Sequence, residues 1–340
     1  MTAPNLLKPP TRSIARLLMP DCLPPTLRST TALLQAGLIP PAHVAALRAL
    51  EARYAIAVPP AFQALIETPD DPIARQVIPH PDELHTAPHE LADPTADAAH
   101  SPMPGLVHRY PDRVLIKPLL ICPLYCRFCF RREQVGPDGG LLTEPQLAAV
   151  LAYIQARPEI REVILTGGDP LLLSPRRLAD LLGALDAMPH LDQLRIHSRV
   201  PVADPGRLTP ALLAALHTEK PLYLAVHANH AREFTPQAAT GLRAMARAGL
   251  ILLGQSVLLR GVNDNADTLE SLFRAMLRNR IKPYYLHQLD PAPGTARFEV
   301  PVAEGLSLLA ALRGRLTGLA FPTYIQEQPD GAGKRPLTHS

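Results

Sequence analysis

Cysteine is scarce in this chain: four in 340 residues, three of them within eight positions. So few thiols exclude the disulfide framework that staples small secreted domains. No apolar run approaches the roughly 18 residues a membrane span requires. The opening Met1-Thr-Ala-Pro-Asn-Leu-Leu-Lys-Pro-Pro10 lacks the apolar core of a secretory signal. An excess of one charge is missing as well. Thirty-four basic residues against 31 acidic ones leave +3 without long single-sign runs, which argues for a solvated mixed surface and against a general nucleic-acid face. These absences predict a cytoplasmic globular protein that binds neither nucleic acid nor membrane. A hydrophobic content of 47% is ample for a core, either of one large α/β domain with extensions or of two smaller domains.

The three clustered cysteines organise the rest. Cys122, Cys126 and Cys129 stand in C-x3-C-x2-C spacing inside Leu120-Ile-Cys-Pro-Leu-Tyr-Cys-Arg-Phe-Cys-Phe-Arg-Arg-Glu133. Thiolates this close can converge on one metal centre. An iron–sulfur cube normally takes four cysteines, one per iron, so three local ligands leave one iron open for a small molecule. A structural zinc site, with its closed tetrahedral ligand set, is the poorer fit. The fourth cysteine, Cys22, lies far off in a Pro-rich stretch and reads as a bystander.

Residues 1–30 are rich in Pro and Thr without periodicity and are expected to be poorly ordered. Helical spacing follows at His43–Tyr54, through Val44, Leu47, Leu50 and Tyr54, and again around Ala61–Glu67. Residues 69–108 carry many Pro, His and Asp and read as an extended connection wrapping the next domain. From Asp112 onward, short apolar runs at 113–120, 162–166, 193–197, 221–226, 251–258, 283–288 and 322–326 alternate with amphipathic stretches. Thr143 and Gln146 form a capping box, and Ser174-Pro175, Thr209-Pro210 and Thr235-Pro236 each put an N-cap hydroxyl before a first-turn proline. This is the βα repeat of a parallel barrel or open sheet.

Barrel enzymes of this kind build their active sites from the loops at the carboxyl ends of the strands. The chemically unusual residues sort there: the cysteines after the first strand, Gly167-Gly168-Asp169 after the second, and His197-Ser198-Arg199 after the third. His227 and His230 follow the fourth, Gln255 lies on the fifth, Asp290 follows the sixth, and Glu327 with Lys334 come after the last.

The cysteine spacing, with Phe128 and Phe130 flanking the third cysteine, resembles the radical S-adenosylmethionine (SAM) superfamily. That resemblance implies a partial (β/α)6 barrel and a [4Fe-4S] cluster whose open iron chelates SAM and cleaves it to a 5′-deoxyadenosyl radical. It also implies that the Thr166-Gly-Gly-Asp-Pro170 turn, through Gly167, Gly168 and Asp169, receives SAM, with His227 and Gln255 in the same cofactor region. Longer motifs narrow it: His108-Arg-Tyr-Pro-Asp-Arg-Val114, Gln255-Ser-Val-Leu-Leu-Arg-Gly-Val-Asn-Asp264, Pro283-Tyr-Tyr-Leu-His-Gln-Leu-Asp290 and Gly331-Ala-Gly-Lys-Arg-Pro336. Together, from about residue 50 onward, these resemble the lysine 2,3-aminomutase family.

The family resemblance implies a second cofactor, pyridoxal 5′-phosphate (PLP), bound as an imine to Lys334 in a Gly-rich C-terminal loop, with Arg109, Tyr110 and Arg113 holding its phosphate. It assigns Arg131 to the substrate carboxylate, and Asp290 with Glu327 to the ε-ammonium of L-lysine. Glu327 departs from the aspartate usual at its position. A glutamate-type enzyme should have cationic or neutral groups where these two acids fall. The implied reaction moves the α-amino group of L-lysine to the β-carbon. The alternatives are a dedicated supply of β-lysine for elongation factor P modification, and the same chemistry on another amino acid. A flavodoxin or ferredoxin is the implied electron donor and a homo-oligomer a possible assembly. Larger members of the family continue past the PLP lysine with a segment carrying zinc ligands, whereas six residues follow Lys334 here and Cys22 cannot replace those ligands, so zinc is not expected. The expected organisation is a Pro-rich 1–30, a helical lead-in and wrapping segment 31–108, a radical-SAM core 109–320, and a C-terminal strand with the PLP-lysine loop at 321–340.

Overall fold

The computed structural model describes residues 24–328 and 333–338. Cys22, Gly331 and most of the Pro-rich opening segment lie outside the described residues. Among those described, nine strands form one sheet in sequence order: β1 (Leu106–Tyr110), β2 (Arg113–Leu119), β3 (Glu162–Gly167), β4 (Gln193–Ser198), β5 (Leu222–His227), β6 (Ile251–Val257), β7 (Lys282–His287), β8 (Thr323–Gln328) and β9 (Gly333–Pro336). Strands β2 to β8 pair in parallel, each with the next, while β1 and β9 are antiparallel at the two edges. With helices returning the chain between parallel strands, this is the partial α/β barrel the repeat implies.

Local chemistry sets the helix starts. Thr143 and Gln146 cap each other's backbone, and the hydroxyls of Ser174, Thr209 and Thr235 accept from Arg177, Leu212 and Ala238 amides. Each such cap contributes about 1 kcal/mol. The two helices expected in the lead-in are shorter than their periodicity suggests, at Val44–Glu51 and Pro60–Gln63, and two further short helices, Thr30–Gln35 and Ala74–Val77, flank them.

The strands alternate between two environments. Val114, Ile116, Val163, Leu165, Leu194, Ile196 and Leu224 face outward into one apolar core under the helices. Burying each such side chain contributes roughly 1.5–3 kcal/mol. Their neighbours face inward and are largely polar: Arg113, Glu162, Arg195, His197, His227 and Gln255 all line the barrel interior. The outer core holds the barrel, and the inner face is left free for chemistry.

Two strands lie where none was expected. β1 occupies the end of the segment read as an extended connection, turning back on β2 through Tyr110 and Arg113. β9 replaces part of the expected loop, pairing Glu327 with Lys334 and Gln328 with Gly333. Without it the outer edge of β8 would present unpaired backbone groups.

A second core joins the lead-in to the cysteine loop, with Leu33, Leu47, Leu50, Phe62, Ile73 and Val77 packing around Leu124. An ionic brace reinforces it. The buried Glu83 carboxylate accepts from Arg127 Nη2 at 2.7 Å and Arg132 Nη2 at 2.6 Å. Burial alone would raise this carboxyl, but the two guanidiniums outweigh it and pull it down to about 2. The lead-in is thereby fastened to the loop that carries the cysteines. Among the described residues no helix is long and apolar enough to cross a membrane.

Candidate active site

One cavity of about 500 Å³ runs down the barrel from the carboxyl ends of the strands. Its wall includes Cys122, Cys126 and Cys129 together with Lys334. Burial pushes the Cys122 thiol well up and raises Cys129 to about 11, each reinforced by a neighbouring cysteine. Metal binding takes thiolates and must expel those protons. Among the described residues no three His, Cys, Asp or Glu side chains stand close enough to share a single ion. A cluster that gives each thiolate its own iron asks for the wider set. Three thiols facing one cavity, with Arg199 Nη1 donating to Cys126 Sγ at 2.8 Å, fit such a group.

The Gly-Gly-Asp turn after β3 packs against this loop. Gly167 has φ +99, and a Cβ there would stand 2.8 Å from Lys117 Cβ. At Gly168 a Cβ would run into the backbone of Ile121. The amides of Gly168 and Asp169 donate to Leu119 O at 2.8 Å and Ile121 O at 2.9 Å. Gly167 is thus required by the close approach of β2, and Gly168 by that of the cysteine loop. Gly168 and Asp169 line the cavity, whereas Gly167 does not. The Asp169 carboxylate already accepts from Ser198 Oγ at 2.8 Å and from the amides of Arg199 and Val200 at 2.7 and 3.0 Å. It fixes the end of β4. His227 and Gln255 are on the wall, and the His227 ring stacks on Phe128 at 5.7 Å. Burial first, then Arg199, keeps that imidazole neutral.

Around Lys334 the charges form a ladder. Lys334 Nζ donates to Glu327 Oε2 at 2.7 Å. Arg109 binds the other oxygen of Glu327 and the carbonyl of Thr95, and reaches Asp97 at 3.4 Å. Asp97 in turn accepts from Arg131 Nε at 2.9 Å and Nη2 at 2.8 Å, with Lys117 at 3.8 Å. Alternating signs therefore connect Lys334 to the arginine just past the last cysteine. Burial would raise the Asp97 carboxyl, but Arg131 and Lys117 hold it below the usual range.

Strands β1 and β9 meet across this ladder. The Lys334 amide donates to Tyr110 Oη at 2.8 Å. Gly333, at φ +84, leaves the room that ring needs, since a Cβ would sit 2.7 Å from it. Arg113 stacks on the Tyr110 ring at 3.6 Å and also lines the cavity. The three residues expected at the PLP phosphate are therefore together, with Arg109 and Tyr110 engaged by the Lys334 hairpin.

Asp290 completes the site. Glu90 accepts from the amides of Gly294, Thr295 and Ala296 at 2.9, 2.7 and 2.7 Å, fixing the turn that follows Asp290. Burial, then the nearby Glu327, pushes the Asp290 carboxyl up to about 7. His287, brought to about 3 by burial and then Lys334, and His197, driven well below its ordinary value, are neutral imidazoles on the same wall. The Nε2 of each is buried without a hydrogen-bond partner among the described residues.

Asp97, Glu90 and His287 were missed as site residues, while His197 was placed at its strand end without a role. His287 sits at a strand end in the inward register, a signal that alternation could have supplied. Asp97 and Glu90 lie in an aperiodic segment and had none.

Residues 116–272 match the family model described as the radical SAM superfamily. The L-lysine 2,3-aminomutase of Acetoanaerobium sticklandii is 39% identical over 284 residues, 83% of this chain and 69% of that protein. The Escherichia coli K12 protein of the same name is 38% identical over 294 residues, 85% of each chain. The glutamate 2,3-aminomutase of Clostridioides difficile is 36% identical over 283 residues, 83% of this chain and 67% of that one. Among solved structures, a radical SAM methyltransferase from Sphaerobacter thermophilus aligns with a TM-score of 0.44 at 19% identity, covering 65% of this chain and 68% of that one.

Proposed function

Because this chain belongs to the radical SAM family of L-lysine 2,3-aminomutases, we propose that it converts L-lysine to β-lysine by moving the α-amino group to the β-carbon. It is an isomerase that works with a [4Fe-4S] cluster, SAM and PLP. When bound, the cluster and SAM supply a hydrogen-abstracting radical, while PLP holds the migrating nitrogen.

The chain's own residues divide the remaining work. Cys122, Cys126 and Cys129 hold the cluster. Gly168 and Asp169, next to Gly167 in the turn, shape the place for SAM together with His227 and Gln255 on the same cavity wall. Lys334 anchors PLP, and Arg113 with Arg109 and Tyr110 offers donors for the phosphate. Arg131 binds the substrate carboxylate while Asp97 keeps its guanidinium in place. Asp290 receives the ε-ammonium. Glu327 shares that task and also holds the Lys334 ammonium whenever it is not bonded to the cofactor. Two acids beside the lysine suit a diamino acid and repel the side-chain carboxylate of glutamate. The single observation that carries this reading is that the cysteine trio and Lys334 line one cavity with Asp290 and Glu327.

The proposal includes a one-electron donor of the flavodoxin or ferredoxin type, a cytoplasmic setting, and two further expectations: a homo-oligomer, and delivery of β-lysine toward elongation factor P. The decisive experiment is an anaerobic assay of cluster-reconstituted protein with PLP, SAM and a reductant. L-lysine and L-glutamate are supplied in parallel and products resolved by chiral chromatography. β-Lysine from lysine alone is expected. Conversion of glutamate alone, or SAM cleavage with neither amino acid converted, overturns the substrate assignment.

A further inference from the structure

Arg199 is a buried cation with an unusual partner, a cysteine sulfur. Its Nη1 donates to Cys126 Sγ at 2.8 Å. Its Nη2 donates to Gln76 Oε1 at 2.5 Å and to Glu233 Oε2 at 3.1 Å. Gln76 Nε2 returns a bond to Glu233 Oε1 at 3.2 Å, and Asn229 Nδ2 donates to Gln76 Oε1 at 3.0 Å. Gln76, Asn229 and Glu233 are completely buried, and Arg199 is 6% exposed. The guanidinium also lies over the rings of Phe62 and Phe128, at 5.1 and 5.7 Å. A charge this deep is tolerated only when paired. Glu233 supplies one counter-charge, and the Cys126 thiolate of a bound cluster supplies another.

The network comes from three separate parts of the fold. Gln76 belongs to the lead-in helix Ala74–Val77, Arg199 follows β4, and Asn229 and Glu233 follow β5. The Gln76 carbonyl also accepts from the Arg127 amide at 2.8 Å, one residue past Cys126. The lead-in therefore sets where the guanidinium sits relative to the sulfur.

We propose that Arg199, oriented by Gln76 and Glu233, raises the reduction potential of the cluster through its bond to Cys126. This rests on the reading of Cys126 as a cluster ligand. Reduction moves one electron from an external one-electron donor, which is oxidised, onto the cluster, which becomes one unit more negative. Arg199 keeps its proton throughout. A fixed cation and a hydrogen bond at a ligand sulfur favour the more negative state, and such bonds are among the factors that set cluster potentials. Arg199 is thus a positioning and tuning residue, distinct from the groups that touch substrate.

The test is an EPR-monitored redox titration of the reconstituted protein without SAM, alongside iron and sulfide analysis. Arg199→Gln is expected to lower the equilibrium constant for reduction about tenfold, a shift of about 59 mV to more negative potential for one electron. Arg199→Lys keeps the charge and should lie between that variant and the wild type. Should Arg199→Gln fail to take up the cluster because Glu233 is left unpaired, the double variant Arg199→Gln with Glu233→Gln removes that obstacle. Glu233 touches the far nitrogen of the guanidinium, so this variant should still shift negative, by less. A midpoint equal to wild type in Arg199→Gln, or in the double variant where the single one stays empty, overturns the proposal. Wild-type protein that binds no iron–sulfur cluster overturns instead the reading on which it rests.

Discussion

At one end of the cavity the three thiols come from a single stretch of eight residues, whereas at the other Lys334 is held through Glu327, Arg109 and Asp97, drawn from three separate segments. The cysteine loop is ordered by an apolar core and by Glu83, which clamps Arg127 and Arg132 just beside the cysteines. The lysine hairpin instead closes the seam between the two edge strands with hydrogen bonds and ion pairs. A metal cluster needs several identical ligands at short range, which a contiguous loop supplies. Placing one amine against a cofactor needs direction, and that comes from partners fixed elsewhere in the fold.

The sharpest way to break this contrast is to delete one end and measure the other. Lys334→Ala should abolish borohydride-trappable PLP and lower turnover by on the order of 10³-fold or more, with iron and sulfide unchanged. Cys126→Ala should do the reverse, losing the cluster and SAM cleavage but keeping the visible absorbance of lysine-bound PLP. If either variant lost both cofactors, the two ends would be one cooperative unit and the distinction would fall.

A smaller effect is expected where the ends meet. Asp97 is shared by Arg131, on the cysteine side, and Arg109, on the lysine side, with Lys117 as a third cation. Asp97→Asn removes the common counter-ion, and breaking a buried pair typically costs about 3–5 kcal/mol. The KM for lysine should rise about 10–100-fold, since part of that cost appears as lost orientation of Arg131. PLP affinity should weaken as Arg109 and Glu327 loosen, while the cluster stays intact. Partial recovery in Asp97→Glu would tie the effect to the carboxylate. An unchanged KM in Asp97→Asn would show that Arg131 needs no such anchor.

The same contrast explains what could be read from the chain. The cysteine trio, the N-caps and the βα alternation are local patterns, and each appears where its spacing implies. Lys334 was legible only through family resemblance, because the strand it lies on forms by pairing with β8 and carries no periodicity of its own. Asp97 sits in a segment without regular structure, and its importance arises from cations that follow it by 12 to 34 positions. The Gly-Gly-Asp turn was visible as a place of close approach, but the protein neighbours its glycines admit, β2 at Gly167 and the Ile121 backbone at Gly168, exist only once β2 and β3 lie side by side. Buried polar networks of this kind are specified by the whole fold, so no window of sequence announces them.

The two ends should also respond differently to pH, because their buried acids have opposite neighbours. Glu83, between two guanidiniums, titrates near 2 and stays ionised at any working pH. Asp290 has burial and then Glu327 pushing it up to about 7, only partly offset by Lys334 and Arg131. An ammonium binds the carboxylate, so below about pH 7 lysine must displace a proton from Asp290 before it can be held. The KM for lysine should therefore rise as pH falls from 8 to 6, approaching about tenfold per unit on the acid side, while KM for SAM stays level. Asp290→Asn should flatten the lysine profile and raise KM throughout. A lysine KM that is level from pH 6 to 8 in the wild type would remove Asp290 from the ammonium site and leave Glu327 as the acid that recognises it.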